Sequence, residues 1–249
     1  MTTTIILGDG GLGRAVENAL RARVGADSNI RDVRVLGRPR TGRHDPRDLV
    51  GADVLIEASR ADAVPDNLAA ALEAGIRRAV IATTGWQADR PRVQSLLADF
   101  GAAAVAAPNF SLGVVLFGRL VETAVSLFGS LDAFDPYLLE WHRRSKTDRP
   151  SGTAIDLRTR IVAGHPRLSD PADLEVVSVR AGASPGMHLV GFDAAGETVE
   201  LRLTARDRSA YAAGILAAAD WLIRAPRAPG LHAFDPIVDE LVARDAIAA

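Results

Sequence analysis

Ile5-Ile6-Leu7-Gly8-Asp9-Gly10-Gly11-Leu12-Gly13 is a β-branched run that empties into four glycines within six positions. The run fits G-x-G-x-x-G, placed between a predicted strand and a helical pattern at 14–23 that carries Val16, Leu20 and Val24 on one face. In that setting Gly8 permits the tight turn, Gly10 lets a pyrophosphate approach the backbone, and Gly13 lets helix pack on strand. Amides at the helix start then face the anion. The residues expected at a dinucleotide are therefore Gly8, Asp9, Gly10, Gly11, Leu12 and Gly13.

The following segments extend that unit. Apolar runs at 33–36, 54–56, 79–81 and 103–106 alternate with helical patterns at 64–74 and 92–100, which predicts an α/β fold with a doubly wound, Rossmann-type parallel sheet. The second run ends Gly37-Arg38-Pro39-Arg40, with Arg43 beyond it, and has no acidic residue for a ribose 2′-hydroxyl. Guanidinium groups there, Arg38 first, suit a 2′-phosphate, so NADPH is the expected cofactor, with NADH as the alternative.

From Gly113 the pattern changes. A long amphipathic helix at 114–127 precedes a strand at 137–142, a helix from Ser151, and closely spaced strands at 174–179, 188–192 and 199–203. Such spacing predicts a second α+β domain with an antiparallel or mixed sheet. Helices at 210–223 and after Pro236 close the chain. Two domains are expected, the second beginning at Gly113.

Composition narrows the function. The 249 residues carry 29 Lys plus Arg against 31 Asp plus Glu, a formal charge of −2, which removes the electrostatic basis for a nucleic-acid partner. Without cysteine there is no disulfide framework, thiolate zinc site or cysteine nucleophile. The start lacks a basic n-region, and no apolar stretch is long enough to span a bilayer, so a cytoplasmic protein without a membrane partner is expected. His44, His165, His188 and His232 are scattered, with no two at ligand spacing on one element, and no metal site is expected.

The 29 basic residues comprise 28 Arg and one Lys, Lys146. Lysine offers what arginine does not, a compact ammonium that can release a proton. Lys146 lies in the densest cluster of reactive side chains, Glu140-Trp141-His142-Arg143-Arg144-Ser145-Lys146-Thr147-Asp148-Arg149-Pro150-Ser151-Gly152-Thr153-Ala154. Pro150 disfavours helix before it and Ser151 is an N-cap, so Gly152 and Thr153 present backbone N–H groups able to hold a carboxylate. His142, Arg143, Arg144 and Lys146 surround that anion site, and the chemistry is that of a pocket for a small di-acid with a proton donor.

This segment resembles the signature of the 4-hydroxy-tetrahydrodipicolinate (dihydrodipicolinate) reductase family, E-x-H-H-x-x-K-x-D-x-P-S-G-T-A. Further similar segments occur in order: Ile56-Glu57-Ala58-Ser59, Ala82-Thr83-Thr84-Gly85, Ala107-Pro108-Asn109-Phe110-Ser111-Leu112-Gly113, Arg180-Ala181-Gly182 with Gly186 and His188, and Asp207-Arg208. The resemblance implies NAD(P)H-dependent reduction of a cyclic imine-type dicarboxylate in diaminopimelate and lysine biosynthesis, by a homotetramer, with 1–112 and 208–249 as the dinucleotide-binding domain and 113–207 as the substrate-binding and oligomerisation domain. Carried over by position, His142 is the active-site histidine and Lys146 the proton donor. Arg143, Ser151, Gly152 and Thr153 meet the substrate. Arg38, Ala82, Thr83, Thr84, Ala107, Pro108, Asn109 and Phe110 join the glycine loop at the cofactor.

The chain departs from the family at Arg143, where a second His is usual, and in a glycine loop one residue shorter that lacks an Arg-Met pair. Arg143 changes charge and reach in the pocket, so a paralogue acting on another cyclic imino-acid is the alternative. Short-chain dehydrogenase chemistry needs Y-x-x-x-K, and neither Tyr137 nor Tyr211 has Lys four positions on. A non-catalytic nucleotide sensor is the third reading, opposed by the retention of both His142 and Lys146.

Overall fold

Ile5, Ile6 and Leu7 are all fully buried, as befits a strand covered on both faces. They end β1 (Thr2–Leu7), which runs through the glycine turn into α1 (Gly11–Arg23). There follow β2 (Ile30–Leu36), β3 (Val54–Glu57), α2 (Val64–Glu73), β4 (Arg78–Ile81), α3 (Arg90–Asp99) and β5 (Ala103–Ala106). Next come α4 (Leu112–Phe128), β6 (Asp135–His142), α5 (Gly152–Gly164), β7 (Val176–Arg180), β8 (Met187–Ala194) and β9 (Glu197–Thr204), and the chain closes with α6 (Ser209–Arg224), β10 (Gly230–Ala233) and α7 (Asp235–Ile247). This is a computed structural model, which describes residues 1–24, 30–39 and 42–247.

Two compact units result, one of Met1–Ser111 with Arg208–Ala249, the other of Leu112–Asp207. In the first, six parallel strands lie in the order β10-β5-β4-β3-β1-β2. Successive strands move one way from β1 to β2 and the other way from β3 to β10, so the order reverses between β1 and β3. Clefts of such sheets open at this switch point, outside the carboxyl ends of the strands. Alternate strand residues supply the two faces. Ile5, Leu7, Leu55 and Ile81 pack with Leu68, Leu72, Val93 and Leu97 of α2 and α3, while α1 and α6 pack together.

β10 was not expected from the sequence. Gly230-Leu231-His232-Ala233 has too few β-branched or alternating residues to read as a strand, yet it adds parallel to β5 with Leu231 opposite Ala104. Its strand character comes from the partner edge rather than from its own residues.

In the second unit β7-β6-β8-β9 form a mixed sheet, with β7 parallel to β6 and both other pairs antiparallel. One face carries Leu138, Val190 and Phe192, packed against Phe117, Val121 and Val125 of α4 and Leu157 and Ile161 of α5. Among the described residues no helix is long and apolar enough to cross a membrane.

Candidate active site

The glycine turn is tighter than a turn alone requires. Gly8 has φ +115°, a backbone region that L side chains avoid, and a Cβ there would lie 2.4 Å from the Ala58 carbonyl oxygen. A Cβ at Gly13 would sit 1.9 Å from the Gly8 carbonyl oxygen, so Gly13 is demanded by the close approach of α1 to the turn after β1, and Gly8 by the close approach of that turn to the segment after β3. Gly10 faces open space and supplies an N-cap without a side-chain bond, and α1 begins one residue on, at Gly11. Its first amides therefore lie inside the glycine motif, with no acidic residue in the first turn to compete for them. This backbone cradle fits a dinucleotide pyrophosphate.

A cleft of about 440 Å³ is lined by Gly8, Asp9, Gly10, Gly37, Arg38 and Ser59, among others. On the other side of the switch point a second recess is lined by Gly10, Gly11, Leu12, Ala82, Thr83, Thr84 and Arg208. Arg38 is exposed at the first cleft. Arg43 is not available there: its guanidinium makes a bidentate pair with Glu73, at 2.9 and 2.8 Å, on the exposed surface. Arg40, also expected to meet a 2′-phosphate, lies outside the described residues.

Between these clefts is a buried polar cluster that the sequence did not single out. Glu57, at the end of β3, is fully buried. Its carboxyl accepts from the Ser59 hydroxyl and from Asn67 Nδ2 at 3.1 Å, while the Glu57 carbonyl accepts the Ala82 and Thr83 amides at 2.8 and 3.2 Å. Burial pushes the Glu57 carboxyl up, against hydrogen bonds from Ser59, Thr83 and Asn67. This network ties the turn after β3 to the Ala82-Thr83-Thr84 turn after β4. Asn109 accepts from the Ser111 amide at 2.8 Å, shaping the segment that follows Ala107 and Pro108. Phe110, which ends that segment, has its ring buried, 5.0 Å from that of Phe234.

In the second unit, strand alternation decides which of the signature residues point inward. On β6 Leu138, Glu140 and His142 are buried while Trp141 is exposed. Register then brings polar partners onto the same face. Glu140 lies opposite His188 of β8 and Ser178 of β7, and His142 lies opposite Arg180. The Glu140 carboxylate accepts from Arg180 and from Ser178 Oγ at 2.6 Å each, and from the Ser151 amide at 3.0 Å. Burial pushes this carboxyl up, but the hydrogen bonds from Ser151, Ser178 and Arg180 outweigh it and hold the group at about 2.

His142 Nδ1 is 3.3 Å from Glu140 Oε2, and the His142 and His188 rings are 5.2 Å apart. His188 Nε2 meets Ser151 Oγ at 3.1 Å. Burial lowers both imidazoles, His188 to about 4, with His142 adding to that shift and Glu140 opposing it. The scattering of histidines seen in the sequence therefore does not hold in space: donor atoms of Glu140, His142 and His188 fall within 4.8 Å of one another. A guanidinium already pairs with that carboxylate, so a second cation there meets repulsion.

The outer layer is a loop. Lys146 Nζ pairs with Asp148 at 2.8 and 2.9 Å and is about three-quarters buried, whereas Arg143 is exposed with Nε on Ser145 Oγ at 3.1 Å. Lys146 holds Asp148 below the usual carboxylate range. Ser151 is the N-cap of α5, accepting from the Ala154 amide at 3.2 Å, and its side chain is buried. Gly152 and Thr153 open the helix beside this loop. Glu140 thus fixes the helix start through Ser151, and the sequence signal for it was the i, i+2 spacing of Glu140 and His142 on a strand.

A pH test isolates His188. Its folded value lies below the ordinary 6.5, so its contribution to stability is complete above pH 6.5 and is lost as pH falls toward 4. The full shift corresponds to about 3 kcal/mol at most. Urea unfolding at steps from pH 7 to 4 should show wild type losing stability that His188→Gln does not lose; parallel curves would contradict the assignment.

Profiles of the dihydrodipicolinate reductase family match here, its N-terminal part over residues 5–110 and its C-terminal part over 113–237. The 4-hydroxy-tetrahydrodipicolinate reductase of Archaeoglobus fulgidus is 34% identical, over 76% of each chain. That of Thiobacillus denitrificans is 36% identical over 74% of this chain and 72% of its own. Among solved structures, a dipicolinate-bound dihydrodipicolinate reductase from Paenisporosarcina sp. TG-14 shares the fold with a TM-score of 0.71 at 20% identity, covering 94% of this chain and 97% of its own. Both sequence profiles in order along one chain, together with relatives above 30% identity, make this an oxidoreductase that belongs to the dihydrodipicolinate reductase family.

Proposed function

We propose that the protein reduces 4-hydroxy-tetrahydrodipicolinate with NADPH in diaminopimelate and lysine biosynthesis. The observation that carries this reading is the loop 143–153: one ammonium, the exposed guanidinium groups of Arg143, Arg144 and Arg149, and one helix start stand together over a buried, charge-compensated cluster. The start of α5 at Gly152 and Thr153 holds one carboxylate of the substrate, and Arg143 holds the other. When bound, the nicotinamide supplies the hydride. Lys146 then donates a proton to the electron-rich carbon or nitrogen left by hydride addition, and its pairing with Asp148 at 2.8 Å fixes where the ammonium stands. His142, the active-site histidine in this reading, is buried with its Nδ1 3.3 Å from Glu140, and burial favours its neutral imidazole, so it serves as a hydrogen-bonding group rather than as a cation.

NADPH rather than NADH is supported by Arg38 at the cleft beyond β2. Arg38→Ala should raise the KM for NADPH roughly 10- to 100-fold, the worth of a charge-assisted phosphate contact, and leave the KM for NADH in place. Equal effects on both cofactors would contradict the assignment. Use of a reduced nicotinamide as substrate supports a cytoplasmic site of action.

A homo-oligomer is supported by the uncovered face of the second sheet, where Trp141, Val177 and Val179 are 39%, 46% and 37% exposed. Light scattering should give a mass several times that of one chain, and Val177→Glu should reduce it; a monomeric wild type would contradict this.

The substrate is tested by cofactor oxidation with freshly generated 4-hydroxy-tetrahydrodipicolinate. Turnover with it, and little with other cyclic imino-acids, is expected. The reverse preference would favour the second reading, a paralogous imine reductase, whose support is Arg143 in place of the signature histidine.

A further inference from the structure

Arg208 opens the return of the chain to the first unit, as the residue before α6. Its side chain leaves α6 and reaches the first residue of α1. A Cβ on Gly11 would lie 2.4 Å from one guanidinium nitrogen of Arg208 and 3.1 Å from its central carbon. The same guanidinium lines the recess with Gly10, Leu12, Ser59 and the turn at Thr83 and Thr84.

This placement is electrostatically odd in the free protein. The N-terminal end of a helix repels cations, and α1 has no acidic residue in its first turn. Arg208 forms no ion pair among the described residues and is exposed to solvent. No basic side chain belongs to the glycine turn itself, and the next one, Arg14, donates its Nε to the Asp9 carbonyl at 2.9 Å, bracing the turn. A guanidinium and a set of helix-start amides therefore converge on one recess without an anion of the protein between them.

We propose that Arg208 is a cofactor-binding residue that engages the pyrophosphate of the dinucleotide at the start of α1. The proposal rests on the reading of the glycine turn as the cofactor site and adds the one cationic side chain that the turn lacks. Because the pyrophosphate is common to NADH and NADPH, Arg208 contributes to both equally, unlike Arg38, which serves only the 2′-phosphate.

Calorimetric titration of the full-length protein with NADH, ADP and AMP tests this. Arg208→Ala should bind NADH and ADP at least about tenfold more weakly, with a smaller loss for AMP, as expected when charge-assisted hydrogen bonds to a diphosphate are removed. Arg208→Lys should recover part of the loss by restoring the charge. A packing role predicts instead a lowered Tm, no selectivity for the diphosphate, and no recovery with Lys. Arg208→Ala with wild-type affinity for NADH and ADP would overturn the assignment of Arg208 alone. A wild-type protein that binds neither NADH nor ADP would overturn the cofactor reading and this assignment with it. Should the Ala variant not fold, Arg208→Gln carries the same expectation, and wild-type affinity in it would overturn the proposal equally.

Discussion

Lys146→Ala is expected to lower kcat by roughly 10²- to 10⁴-fold, the usual worth of a positioned general acid, while the Kd for NADPH stays at its wild-type value. The split follows from where the residue stands. Lys146 belongs to the loop of the second unit, whereas the glycine turn, Arg38 and the Thr83-Thr84 turn all belong to the first. Its ammonium is held by Asp148 and not by any residue of the buried cluster, so its removal leaves the core of the sheet intact. Arg at this position keeps the charge but is a poor proton donor near neutral pH, so Lys146→Arg should restore substrate affinity better than kcat. Steady-state kinetics with direct measurement of cofactor binding reads both quantities. Turnover that survives in Lys146→Ala would remove the proton donor from the account.

The second large effect falls on stability. Glu140→Ala should cost about 3–5 kcal/mol in urea unfolding, the range for a buried ion pair that loses one partner. The Arg180 side chain is 1% exposed and its guanidinium rests on Glu140 at 2.6 Å, so the variant leaves a cation buried without its counter-charge. The Ser151 amide and the Ser178 hydroxyl lose their acceptor at the same time. Because Ser151 caps α5, the start of that helix should loosen too, raising the KM for the substrate in whatever fraction folds. Ser178→Ala, which removes a single neutral donor, should cost only about 1 kcal/mol. A Glu140→Ala protein as stable as the Ser178 variant would contradict the buried-pair description.

Much of the frame was legible because local chemistry and global fold agree there. Gly13 is required by the close backbone approach of α1 to the turn after β1, and Gly8 by that of the same turn to the segment after β3, which makes the turn readable from the glycines alone. The long helices of the second unit and the N-cap at Ser151 were legible for the same reason, since their signals are confined to a few adjacent residues. What escaped depends on pairing across the chain. The partners of Glu140 come from β7 and β8, and only the register of those strands brings Ser178, Arg180 and His188 to it. Arg43 looked equivalent to Arg38 until its distant partner Glu73 was visible. The ring of Phe110 packs on Phe234, a residue more than a hundred positions away in sequence, and no local signal announces that contact. β10 is a strand by courtesy of its neighbour β5.

Single-turnover reaction of the wild-type protein with NADPH deuterated at its transferable position, and freshly generated 4-hydroxy-tetrahydrodipicolinate, tests hydride transfer itself. Mass spectrometry of the product should find the label on a ring carbon of a reduced cyclic dicarboxylate, in stoichiometric amount with the cofactor oxidised. Cofactor that binds but is never oxidised, or a product that carries no label, would contradict the account.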